Sequence, residues 1–180
     1  MSVASRVCRR QRTWPERPGA KRRERGRAVS EYEKLLVDAY RGEVLGAALF
    51  GEMATTRTGN EREQLLALAR VESRTAERLR TLIDAAGIDA GDDQTAVDGG
   101  VEMAGATGDQ EWSAFLAALR GALPPFLESF ERLQAIGTPD DPVLAELVAH
   151  ERAIDRFAEL EIDGESAEAL AVLDAHLARV

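Results

Sequence analysis

Cysteine is almost missing from this chain: Cys8 is the only one in 180 residues. No disulfide framework can form within it, and no Cys-x-x-Cys pair is present, which fits a reducing, cytoplasmic setting. Aromatic residues amount to 5%, too few for a typical strand-rich core. No apolar run approaches the roughly 18–20 residues of a membrane span, so a soluble protein without membrane contact is expected. A glycine-rich phosphate loop, a nucleophile elbow and a His-Glu-x-x-His pair are also lacking. Only two histidines occur, His150 and His176.

What is abundant is alanine, leucine, glutamate and arginine, a composition that favours helices. With 44% hydrophobic residues, the chain can bury one core, and a second domain is not expected. The formal net charge of −9 is unevenly spread. Residues 1–29 hold ten Lys or Arg against Glu16 and Glu24, a surplus of +8 that leaves −17 for the rest. Such a body repels nucleic acid and anionic membranes and attracts cations or basic partners.

The first 29 residues have no apolar periodicity and read as a disordered basic tail. They lack the apolar stretch of a secretory signal. Three readings stand side by side. The tail grips nucleic acid with Trp14 stacked on a base, or is solvated and without specific function, or lies outside the native product because translation starts at Val29 from a GUG codon. The last is preferred, because Ser30 is a natural helix N-cap with Glu33 three residues on, a capping box.

From Ser30 onward every segment has helical period. A first helix over about 31–57 carries Leu36, Tyr40, Glu43, Ala47, Phe50 and Ala54 at spacings of three or four. A second over about 60–86 repeats this with Leu65, Ala69, Glu72, Ala76, Leu79 and Ile83, and stops before Gly87. A third is expected over about 110–136, closed by "GTPDDP", and a fourth over about 140–162. A short fifth over about 165–178 follows Gly164. Tight turns near Gly59 and Gly137 make two antiparallel hairpins. Between them, 87–109 is a Gly- and Asp-rich crossover loop of about 22 residues, long enough to run the length of a bundle. A plain up-down bundle with a floppy loop is the competing arrangement.

Two glutamates interrupt the apolar stripes. Counted from the first hairpin turn, Glu43 lies about 15 residues before it and Glu72 about 13 after. At 1.5 Å of rise per residue this puts the carboxylates within roughly 3 Å of one level. Two ionised carboxylates facing each other there would cost several kcal/mol each in lost solvation. A shared proton, an arginine or a metal ion must compensate. His150 and Glu151 flank the apolar stripe at the middle of the fourth helix, so four polar groups converge on the central layer. Carboxylates with one imidazole suit iron or manganese.

This arrangement resembles the ferritin-like superfamily, whose di-iron members place a Glu on each of two bundle helices and a Glu-x-x-His on each of the other two. The resemblance covers nearly all of residues 30–180 as architecture and only part of the motif. Glu43 matches the first-helix glutamate and Glu72 the second, but "ESRT" has Thr75 where the family has histidine. The third helix carries Pro124, Pro125, Phe126 and Leu127 at this level, and only a distortion at the prolines could bring Glu128 or Glu131 inward. The fourth has adjacent His150 and Glu151 in place of Glu-x-x-His. The resemblance therefore implies an all-α, ferritin-like four-helix bundle with a short C-terminal helix and a reduced site, with Glu43, Glu72, His150 and Glu151 as ligands of iron or manganese. The alternative is a metal-free scaffold or interaction module, its carboxylates paired to Arg41, Arg70 or Arg74.

The first helix is apolar on a second face too, through Leu45, Leu49 and Met53. Either the C-terminal helix covers that face or a second copy does, which makes a homodimer the expected assembly. Gly42 and Gly46 form a G-x-x-x-G, read as close helix packing.

Overall fold

The computed structural model describes residues 30–138 and 141–179. The basic tail and the readings attached to it lie outside the described residues. The described chain is all-α, with six helices: α1 (Glu31–Thr56), α2 (Gly59–Ala86), α3 (Gln94–Thr107), α4 (Trp112–Ile136), α5 (Pro142–Ile162) and α6 (Ser166–Leu177). Among the described residues no helix is long and apolar enough to cross a membrane.

The ends of α1, α2, α4, α5 and α6 fall within about two residues of the periodic segments, because local chemistry sets them. Ser30 caps α1 and Glu33 returns the bond to the Ser30 N–H at 2.8 Å, a complete capping box. α2 ends at Gly87, whose φ of 64° is left-handed and closes the last turn. Asp141 accepts from the Val143 N–H at 2.9 Å, and Pro142 occupies the first turn of α5, where its missing donor costs nothing.

α1 and α2 form one antiparallel hairpin and α4 and α5 another, with α6 folded back on α5 and α2. The largest departure from the sequence reading is α3. The segment 87–109, read as a crossover loop, contains a helix of 14 residues lying along α1. It starts where Tyr40 donates to Asp93 at 2.7 Å and where Arg41 grips the Ala90 carbonyl. It ends where Arg57 donates to the carbonyls of Gly108 and Gln110. The connection therefore runs from one end of α1 to the other, as a helix.

The reason periodicity misses α3 is its contact surface. Only Gly100 and Ala104 are buried in it. A Cβ on Gly100 would lie 2.4 Å from the Leu45 carbonyl oxygen, so two backbones touch where large side chains would usually interlock. α3 also occupies the second face of α1, next to Leu45 and Ala48. That face was left for the C-terminal helix or for a second copy. With α3 there, the reason for expecting a homodimer falls away.

The core is split. One cluster, at the α1–α2 turn end, holds Phe50, Met53, Leu65, Leu68, Leu116 and Phe157 among others. The other holds Leu36, Leu79, Ile83, Leu133, Leu144 and Leu147. Each fully buried leucine contributes roughly 1.5–3 kcal/mol. Between the clusters lies a polar layer.

Candidate metal centre

The layer is built by position along three helices. Glu43 sits between the buried Tyr40 and Gly46 of α1, Glu72 next to Val71 of α2, and His150 and Glu151 between Leu147 and Ile154 of α5. All four side chains are buried, with residue exposures of 3%, 8%, 0% and 5% in that order. The structure thus brings together the four residues singled out from the sequence.

His150 is the centre of the cluster. Its Nδ1–H donates to the Leu147 carbonyl, which fixes the ring. In the neutral ring Nε2 then carries a lone pair into the layer. That atom lies 3.0 Å from Glu43 Oε2, 3.5 Å from Glu151 Oε2 and 3.9 Å from Glu72 Oε2. Despite the 3.0 Å separation, His150 Nε2 and Glu43 Oε2 are both without a hydrogen bond. Ligand atoms of Glu43, Glu72 and His150 all lie within 4.8 Å of one another.

Room for this packing comes from Gly46. A Cβ there would lie 2.8 Å from Glu72 Cδ and 3.1 Å from both carboxyl oxygens. The Glu72 carboxyl occupies the space a side chain would need. The G-x-x-x-G of α1 therefore serves the polar layer at Gly46, not a close helix–helix crossing.

Charge is expensive here. Burial pushes Glu43 up to about 8, helped by the charge of Glu151 and opposed by a hydrogen bond with Glu72. Glu72 is raised well above the ordinary carboxylate range by burial and then by Glu43, with His150 pulling the other way. Burial also raises Glu151 to about 7 against the influence of His150. Without a cation, the favoured state keeps a proton on Glu72 and shares it with Glu43 by hydrogen bonding. Of the arginines named as alternative partners, Arg41 binds the Ala90 carbonyl, Arg74 pairs with Glu77 at the surface, and Arg70 is exposed.

The other candidates separate clearly. The Thr75 hydroxyl donates to the Val71 carbonyl at 3.0 Å and is occupied there. Glu131 pairs with Arg152 on the surface, and Glu128 is exposed, so the proline pair swings neither inward. Pro124 and Pro125 lie inside a continuous α4 on its exposed side, where water can satisfy the carbonyls they leave unpaired. α4 supplies no carboxylate to the layer. On its side of the cluster is a cavity of about 260 Å³, which touches Glu43, Glu72 and Glu151.

One residue escaped sequence reasoning. His176, the second of the two histidines, is buried on α6 with its ring 6.4 Å from the His150 ring. Burial, and then the charge of His150, lower its pKa. Its apolar-face position beside Ala169 and Leu173 was a signal, but where α6 folds back could not be read.

The donor spacing has a chemical meaning. An ion held at about 2.1 Å by each donor puts neighbouring donors roughly 3 Å apart and opposite ones roughly 4.2 Å apart. The three separations from His150 Nε2 fall in that range. The Nδ1–H to carbonyl bond is also the outer-shell arrangement that orients a ligating histidine. The chain matches no protein-family model, no curated protein and no solved structure.

Proposed function

We propose that this protein is a ferritin-like, carboxylate-type metal-binding bundle that holds one iron or manganese ion in its central layer. Glu43, Glu72, His150 and Glu151 are the ligands. The observation that carries the reading is the pair of unpartnered ligand atoms, His150 Nε2 and Glu43 Oε2, 3.0 Å apart and hydrogen bonded to nothing. A buried polar atom without a partner costs about 1–3 kcal/mol, and a cation between the two would remove that cost for both. Two antiparallel hairpins with a connection that traverses the bundle support the ferritin-like assignment.

The test is metal content. Full-length protein expressed with added iron and manganese is expected to carry about one equivalent by inductively coupled plasma mass spectrometry, and Glu72→Ala is expected to lose it. A folded, helical wild-type protein that never takes up metal under these conditions overturns the reading.

A second reading has its own support. The Glu43–Glu72 hydrogen bond neutralises one charge with a proton, so a metal-free scaffold needs no ion. In that case Glu72→Ala changes stability alone.

A further inference from the structure

The cavity beside the metal centre has a size, a lining and a mouth, and together they describe a ligand. Its volume is about 260 Å³. A dry cavity of about 150 Å³ accepts benzene, so by proportion this one accommodates about ten non-hydrogen atoms. Its walls away from the centre are apolar or small: Gly42, Leu49, Ala122 and Leu123, with Met103 and Phe126. The last two are 44% and 50% exposed, so the opening toward solvent is itself apolar. The polar groups in the lining are the carboxyls of Glu43, Glu72 and Glu151.

Nothing in that lining pairs with an anion, because its polar groups are all carboxyls. With an ion in the central layer, the acidic end has its counter-charge and no place for a ligand cation. We propose that the cavity binds a small uncharged hydrocarbon-like molecule, an aromatic ring or a short alkyl chain of about ten non-hydrogen atoms, with one end against the metal centre. The uncharged character of the ligand rests on the metal reading. The size and apolarity rest on the cavity alone.

Three probes of similar shape and different charge, toluene, benzylamine and benzoate, test this on the full-length protein with and without metal. Titration followed by ligand-observed nuclear magnetic resonance or calorimetry reads binding, and metal content is measured on the same samples. Toluene is expected to bind saturably and benzoate not at all. Gly42→Leu is expected to abolish toluene binding, because a Cβ at Gly42 meets nothing within 4 Å and a side chain there grows into free space. It should keep the metal content and melt no lower than wild type, since leucine is the better helix former. Ala122→Phe provides an independent filling of the same cavity from α4.

Absence of saturable toluene binding to folded wild-type protein overturns the proposal, as does toluene binding that survives both fillings. Benzylamine binding the metal-free protein more tightly than toluene also overturns it, by putting an ammonium where the ion is assigned. The two readings fail separately. A protein that never takes up metal but binds toluene in a Gly42→Leu-sensitive way retains the apolar pocket and loses the metal centre. A protein that loads metal and ignores toluene loses only the pocket.

Discussion

Freed of metal, this protein should become less stable as pH rises. Carboxylates usually have the opposite effect, because pairing in the folded state lowers their pKa. Here burial raises Glu43 from 4.5 to about 8. Between those values the folded state holds a proton that the unfolded chain has released, so raising the pH favours unfolding. The contribution is whole below about pH 4.5 and gone above about pH 8. The gap between 4.5 and about 8, at about 1.36 kcal/mol per unit, sets a ceiling of about 5 kcal/mol. A native domain has only about 5–15 kcal/mol in total, so the metal-free protein should be markedly weaker at about pH 9. Urea unfolding followed by circular dichroism, with a chelator present, at about pH 5, 7 and 9 measures this directly. Glu43→Gln cannot ionise and should remove the Glu43 share of the pH dependence, leaving a shallower fall from Glu72 and Glu151, which burial also raises. Added manganese should restore stability on the alkaline side, since an ion that binds only the folded state stabilises it by mass action. Wild-type stability that stays level from about pH 5 to pH 9 in chelator would refute the reasoning, because it would mean the carboxyls are ionised and compensated within the fold.

Two other substitutions probe what the glycines do. In Gly46→Ala the new Cβ would come within 2.8 Å of Glu72 Cδ, so the carboxyl must move. The helix gains roughly 0.5–1 kcal/mol from replacing glycine, and metal affinity should fall on the order of tenfold, as when outer-shell support is lost; unchanged affinity by competition titration counts against Glu72 as a ligand. In Gly100→Ala the Cβ would sit 2.4 Å from the Leu45 carbonyl oxygen, forcing α3 away from α1. A loss of about 1–3 kcal/mol is expected, with faster amide hydrogen exchange over Gln94–Thr107; exchange as slow as in wild type would show that α3 does not depend on this contact.

The sequence by itself determined the helical class, the ends of five helices and the heights of the polar groups. Large apolar residues at spacings of three and four, with Ser30, Gly87 and Asp141–Pro142 as start and stop signals, are local features that need no neighbour to be read. Counting from the turn at Gly59 sufficed to bring Glu43 level with Glu72, because an α-helix rises by a constant amount per residue. Tertiary structure alone decided the rest. α3 holds its place through the absence of side chains at Gly100 rather than their presence, and such a contact leaves no hydrophobic period. His176 reaches His150 only because α6 folds back across α5 after Gly164, which has a φ of 82°, a direction that helix periodicity cannot encode. The cavity beside the centre is a place where atoms are missing between residues of five helices, and a linear sequence states only the atoms that are there. The protonation of the carboxyls follows from burial and mutual distance, quantities that come into existence when the helices pack.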